Sequence, residues 1–280
     1  MKEEAPAYEE IYKRVIGVCT EIAVSAIRSS CVAIAGVGGT GSQTAVALAR
    51  MGIGKLVIAD PETFDASNMN RQYGAVSSTL GKNKALVMEE ILKDVNPHLE
   101  VKAYYEGINS ANIDEFLNNA DVAVDGVDYA GVEAKVELFS KAREKGLYVV
   151  SGPISGWGAT IMCFAPDGMA MEEAFAMPAD KSQYKLHKIP PRRLLGCTLE
   201  YLPELFFERL TRENDRYVPS IGPAAILSGI AATAEVVKLV LKKKVPEFAD
   251  LEIITMPFAK RYDLFDISKN KIVNIMENGK

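Results

Sequence analysis

Asn68, Asn70, Arg71 and Gln72 crowd five consecutive positions of the chain, and Lys84 follows a short way downstream. A guanidinium fork, an ammonium and several amides close together suit an anion whose charge grows during a reaction, above all a phosphate. Just upstream lies Gly36-Val-Gly38-Gly39-Thr-Gly41-Ser42. Gly36 and Gly38 let a backbone turn tightly and approach a phosphate, Gly39 keeps the same stretch bare, and Gly41 lets a helix pack on a strand. The free N–H groups at that helix start favour negative charge. Asp60 closes the next apolar run, where a carboxylate accepts hydrogen bonds from ribose hydroxyls. By itself the glycine turn fits NAD, FAD, S-adenosylmethionine, ATP, or a tight turn with no ligand. The residues after the acid narrow the choice. A dinucleotide site has no use for so much cation and amide, whereas ATP chemistry at the α-phosphate does.

Strand, turn, helix, strand must hold these groups. Apolar runs predict strands at 31–35 and 55–59, with a helix over 41–51 between them and a loop at 61–68. Ile11, Val15, Val18 and Ile22 recur at helical spacing and predict a helix over 8–28 within an N-terminal helical region, 1–30. Further helices are expected at 82–94, ended by Asn96-Pro97, at 112–118, at 131–144 and at 220–244. Strands are expected at 100–105, 122–125 and 147–151, an antiparallel section begins at 158–164, and 251–255 and 262–267 read as a closing pair. Residues 165–219, rich in proline, are the least regular part. The expected fold class is α/β: a Rossmann-like, mainly parallel sheet with helices on both faces and an antiparallel C-terminal extension, in a single domain over 1–280.

With 280 residues, 48% hydrophobic and 25% charged, the chain can bury a substantial core. A net charge of −5 gives no general nucleic-acid surface, and the basic run Lys181, Lys185, Lys188, Arg192, Arg193 reads as a solvated loop. The N-terminus is acidic without an apolar core, so no signal peptide is expected. The apolar stretch 221–241 contains Glu235 and Lys238 and suits a buried helix better than a membrane span; a cytoplasmic protein is expected. Cys19, Cys31, Cys163 and Cys197 form no C-x-x-C pair, so no zinc is expected, and His98 and His187 are too far apart to suggest a metal centre.

The sequence resembles the E1-like activating-enzyme superfamily, which includes the ThiF and MoeB adenylyltransferases. The matching pieces are GVGGTGS (36–42), GIGKLVIAD (52–60), NMNRQ (68–72), GKNKA (81–85), VNP (95–97), VDGVD (124–128) and VVSGPISGWGATI (149–161). The resemblance covers about 8–163 and returns at 220–241. It implies that a carboxylate attacks the α-phosphate of ATP, pyrophosphate leaves, and an acyl-adenylate forms. On that pattern Arg71 and Lys84 are the phosphate cations. Gln72 and Asn68 orient phosphate or ribose oxygens, and Asn70 fixes the loop. Asp128 is the carboxylate for Mg2+, with Asp125 as runner-up; relatives usually follow this aspartate with Asn, where this chain has Tyr129. Arg14 matches an arginine lent to the neighbouring subunit's ATP, which implies a homodimer. The segment 165–219 corresponds to a mobile crossover loop with substrate-specific elements. Some relatives use a cysteine there as nucleophile, but Cys197, in LLGCTLEYLPEL, has no neighbouring histidine and reads as structural. Cys163 reads as core. Trp157 either meets the substrate or simply packs. Many relatives carry two C-x-x-C pairs for zinc, and this chain departs from them. The carboxylate is then a small molecule, a peptide, a tRNA-borne group or the C-terminus of a small ubiquitin-like carrier protein, and the departures tilt toward a specialised biosynthetic member. The alternatives are an NAD-dependent oxidoreductase on the same turn and a scaffold without turnover.

Overall fold

CVAIA contains no charged residue, which suits a strand covered on both faces, and it forms β1 (Cys31–Ala35) inside the sheet. The structure, a computed structural model, describes residues 5–129, 131–187, 189–211 and 219–277. Before β1 come α1 (Tyr8–Tyr12) and α2 (Glu21–Arg28). After it follow α3 (Gly39–Arg50), β2 (Lys55–Ala59), α4 (Lys84–Val95), β3 (Glu100–Tyr104), α5 (Ile113–Phe116), β4 (Val122–Asp125), α6 (Val132–Glu144) and β5 (Val149–Ser151). The second part holds β6 (Ile154–Ser155), β7 (Gly158–Phe164), α7 (Met171–Ala174), α8 (Pro191–Leu195), α9 (Glu204–Thr211), α10 (Gly222–Lys244), β8 (Phe258–Asp263) and β9 (Lys271–Asn274).

The sheet runs β3-β2-β1-β4-β5-β7-β8-β9, with β6 paired to β7. Its first five strands are parallel and the rest antiparallel, as expected from sequence. Strand order reverses between β1 and β4, which makes their C-terminal ends the crevice where open α/β sheets take ligands. Alternate residues of β1 feed two cores. Val32 and Ile34 join Leu48, Leu56, Met88 and Val236 on one face, while Ala33 and Ala35 join Phe116, Leu138 and Phe164 on the other. Helix α10 lies on α3 so closely that a Cβ on Gly229 would fall 2.2 Å from the Gln43 Cβ. It is long and apolar enough to cross a membrane, yet Ala232, Val236 and Val240 are buried in the first core.

Two expectations need correcting. The helix expected over 8–28 is two helices, because Gly17 turns the chain with φ +102° and the Thr20 side chain caps α2 at the Ala23 amide. The closing pair is displaced: 251–255 is no strand, and the hairpin is β8–β9, with Ala259 opposite Val273. The carbonyls of Leu251 and Glu252 accept from Lys242 and Lys238 of α10 instead of a ladder partner. The segment 165–219 holds only short helical pieces between irregular stretches among its described residues. Alongside α7, α8 and α9 it contains a 3-10 turn, Lys181–Leu186, and it buries Phe175, Ile189 and Leu195. Within the basic run Arg193 turns onto Met276, and Lys188 lies outside the described residues.

Candidate nucleotide site

The turn between β1 and α3 is built on glycine for reasons of space. Gly36 has φ +84°, and a Cβ there would sit 2.3 Å from the Gly126 carbonyl oxygen. A Cβ on Gly41 would sit 1.9 Å from the Gly36 oxygen. The Gly126 amide in turn donates to Ala35 at 2.7 Å. These contacts lock the glycine turn of β1 against the loop of β4 at the sheet's switch point. Gly38 differs: its nearest neighbour is the Gln72 side chain at 3.6 Å, which leaves its outer side open.

Around this turn the structure gathers most of the residues singled out from sequence. Asp60, at the end of β2, is buried, and its Oδ2 accepts the Val37 amide of the turn at 2.9 Å while Oδ1 accepts the Glu62 amide at 3.0 Å. Burial pushes its carboxyl up, against the pull of the Lys84 ammonium and these amides. The Arg71 stem lies over Gly39, and its Nη1 donates to Ser67 and Asn70, each at 3.0 Å. Gln72 is buried beside Gly38, and its Oε1 has no partner. Its Nε2 is the atom nearest Gly38, and the orphaned Oε1 is an acceptor that a ligand hydroxyl or amine would complete. Ser42 ties the two loops together, accepting the Tyr73 amide at 3.1 Å and donating to Gly38 at 2.5 Å.

Lys84 sits in the first turn of α4, whose Asn83 cap accepts the Leu86 amide. It is no exposed member of a charged face. Its side chain is 5% exposed and pairs with Glu62 at 2.5 Å. Glu62, 60% exposed, escaped the sequence reading, although its place two residues after Asp60 was a usable signal. Asn70 holds its loop to the start of α10 through the Ser220 carbonyl at 2.9 Å. Asn68 is buried within the same loop. It closes a capping box with Asp65 inside its own loop.

The two aspartates after β4 part company. Asp125 is fully engaged: Lys135 Nζ reaches both its oxygens at 2.8 Å, the Ser151 hydroxyl donates at 2.8 Å and the Val127 amide at 3.2 Å. Asp128 is exposed, with Oδ1 accepting the Tyr129 amide. Of the pair, only Asp128 has a carboxylate open to a cation. One carboxylate with waters and phosphate oxygens is a normal Mg2+ set, so the residues fit that ion. Among the described residues no three His, Cys, Asp or Glu side chains gather as a metal group.

A cavity of about 630 Å3 opens between the loop after β3, at Ile108, Asn109 and Ser110, and the start of α6, at Gly131, Val132 and Ala134. It falls within the roughly 300–1,000 Å3 of small-molecule clefts. Glu133 and Glu137 also line it; neither Asp60 nor Asp128 does, although Gly131 of its rim donates its amide to the Asp128 carbonyl at 2.9 Å. The sequence reading missed it, because it forms between two loops distant in the chain.

The remaining candidates lie elsewhere. Arg14 is exposed in the turn between α1 and α2, away from the gathered group. Cys197 is half-buried, and burial raises its thiol pKa, which does not favour a nucleophile. Trp157 stacks on Phe265 with ring centres 5.8 Å apart and stays 42% exposed.

Known proteins agree with this architecture. The model of the ThiF family matches residues 12–277. The tRNA threonylcarbamoyladenosine dehydratase of Haemophilus influenzae is 25% identical over 249 residues, covering 85% of this chain and 95% of that protein. The crystal structure of PaaA superposes with a TM-score of 0.68 at 19% identity, over 98% of this chain and 76% of that one. The E. coli tRNA N6-threonylcarbamoyladenosine dehydratase TcdA, solved with ATP, gives a TM-score of 0.61 at 18% identity, over 85% and 97%. At these identities the two structures speak for the fold, and the family match for descent. A Rossmann-like sheet with its glycine turn, Asp60, Arg71, Gln72 and Lys84 in one crevice is thus joined to a match along nearly the whole chain, and the chain belongs to the ThiF family of E1-like adenylyltransferases.

Proposed function

We propose that the protein binds ATP with Mg2+ in the crevice between β1 and β4 and activates a carboxylate as its acyl-adenylate, releasing pyrophosphate. The observation that carries this reading is the convergence of an open glycine, Gly38, an unpaired buried amide, Gln72, and two cations, Arg71 and Lys84, on one turn. Asp60 receives ribose hydroxyls, and the cavity beside Ile108 and Val132 receives the base. Arg71 and Lys84 hold phosphate oxygens and stabilise the charge that develops at the α-phosphate. Asp128 would hold the Mg2+, which when bound offsets charge on the leaving pyrophosphate. The chain supplies no nucleophile in this scheme. The carboxylate is the nucleophile, and its oxygen bonds to phosphorus as the bond to pyrophosphate breaks.

The acyl substrate to test first is a tRNA-borne carboxylate, because the relative matched along nearly its whole length is named for tRNA threonylcarbamoyladenosine. Carrier proteins, peptides and small acids follow. A homodimer in which Arg14 reaches the partner's nucleotide, and a cytoplasmic setting where ATP and tRNA are at hand, belong to the same reading. The family match leaves the oxidoreductase alternative without support. Exchange of labelled pyrophosphate into ATP, run with tRNA, carrier proteins ending in Gly-Gly and small acids, tests the proposal. Arg71→Ala and Asp128→Ala should each reduce exchange by about a hundredfold or more with the fold retained. Undiminished exchange in both would remove the assignment.

A further inference from the structure

The loop that carries Asp128 reaches the 165–219 segment through its next residue. The Tyr129 hydroxyl donates to the Ile189 carbonyl at 2.5 Å, while the Tyr129 amide donates to Asp128 Oδ1, also at 2.5 Å. The ring packs on the second core, in which Ile189 is buried. The partner is a carbonyl oxygen, so the hydroxyl is the donor. Behind it two bonds hold the loop. Lys135 Nζ holds the Val127 carbonyl at 2.9 Å, and the Gly131 amide holds the Asp128 carbonyl. Tyr129 is therefore bonded at one end to the candidate metal carboxylate and at the other to the backbone of the segment.

We infer that Tyr129 is a positioning residue that couples the segment around Ile189 to the Asp128 carboxylate. The inference rests on the nucleotide reading above and deepens it. Charge arriving at Asp128 reorients the carboxylate and with it the Tyr129 amide. The ring carries that shift to Ile189, so the segment responds to nucleotide in the crevice.

Hydrogen exchange of peptides spanning 181–195, with and without ATP and Mg2+, tests this on the whole chain, beside calorimetric titration of ATP. Tyr129→Phe keeps the ring and removes only the hydroxyl. Without nucleotide, the peptide containing Ile189 should exchange about five-fold faster in the variant, as expected for one lost hydrogen bond. With ATP and Mg2+, the wild type should gain protection there and Tyr129→Phe should not, although ATP affinity changes less than about two-fold. A purely structural bond would shift the first result and leave the second alone. Asp128→Asn, which keeps the tyrosine, should also lose the nucleotide response. Equal nucleotide-dependent protection in wild type and Tyr129→Phe overturns the coupling. ATP that binds neither protein overturns the nucleotide reading and the coupling with it, and that failure is told apart by the calorimetry.

Discussion

Lys135→Met is the most demanding test of how the β4 loop is held. Lys135 and Asp125 are paired with side chains 8% and 0% exposed, and the ammonium touches both carboxylate oxygens at 2.8 Å. Methionine keeps most of the stem and removes the charge, leaving a buried carboxylate with only the Ser151 hydroxyl and the Val127 amide. Breaking a buried pair from one side costs about 3–5 kcal/mol, a large share of the roughly 5–15 kcal/mol that keeps a domain folded. For a chain of this size that is a fall in Tm of about 5–9 °C. Calorimetry and urea titration read it directly. Asp125→Leu added to Lys135→Met removes the orphaned charge and should recover at least half of the loss, less about 1 kcal/mol for each hydrogen bond that is not replaced. A single variant within about 1 kcal/mol of wild type, or a double variant no more stable than the single, would refute the account of Asp125 as a buried brace.

Gly36→Ala should fail to fold or lose several kcal/mol, because backbone oxygen at 2.3 Å and a positive φ leave no room, whereas Gly38→Ala should keep its Tm and weaken ATP binding tenfold or more; calorimetry of both, with equal outcomes counting against the cradle, decides. For Asp121, burial raises the pKa, but Lys243, Lys244 and the Cys31 amide outweigh it and the carboxyl lies below its usual range. A depressed folded-state pKa adds stability that is whole above the unfolded value of about 3.9 and is lost as pH falls through the folded one. Urea titrations below about pH 4 should therefore show wild type losing stability more steeply than Asp121→Asn, and equal slopes would contradict the pairing. Burial pushes Cys163 up to about 12 and Cys31 up to about 11, so iodoacetamide at pH 7.5 should label neither in the native protein; Cys197→Ser should keep at least half of the exchange activity, and its loss would contradict an adenylation step that needs no cysteine.

Much of this protein was legible without coordinates because its signals are local. β1 and β2 follow from short apolar runs, and the turn between them from glycines whose missing Cβ atoms steric geometry requires. The choice of Arg71, Gln72, Lys84 and Asp60 followed from residue type and order. What sequence could not separate were groups of like chemistry in like places. Asp125 and Asp128 flank the end of one apolar run, and only Lys135, brought back from α6, and Ser151, from β5, show that the first is spent. Asn68 and Gln72 are both amides near the turn, and only packing sends one into its own loop and the other to Gly38. LEIIT reads as a strand until the α10 lysines take its carbonyls, and the bond from Tyr129 to Ile189 joins parts of the chain that no local pattern relates. Backbone sterics and side-chain periodicity act over a few residues and are written in order. Burial, and the partner that burial demands of a charge or an amide, depend on which distant residues the fold brings alongside.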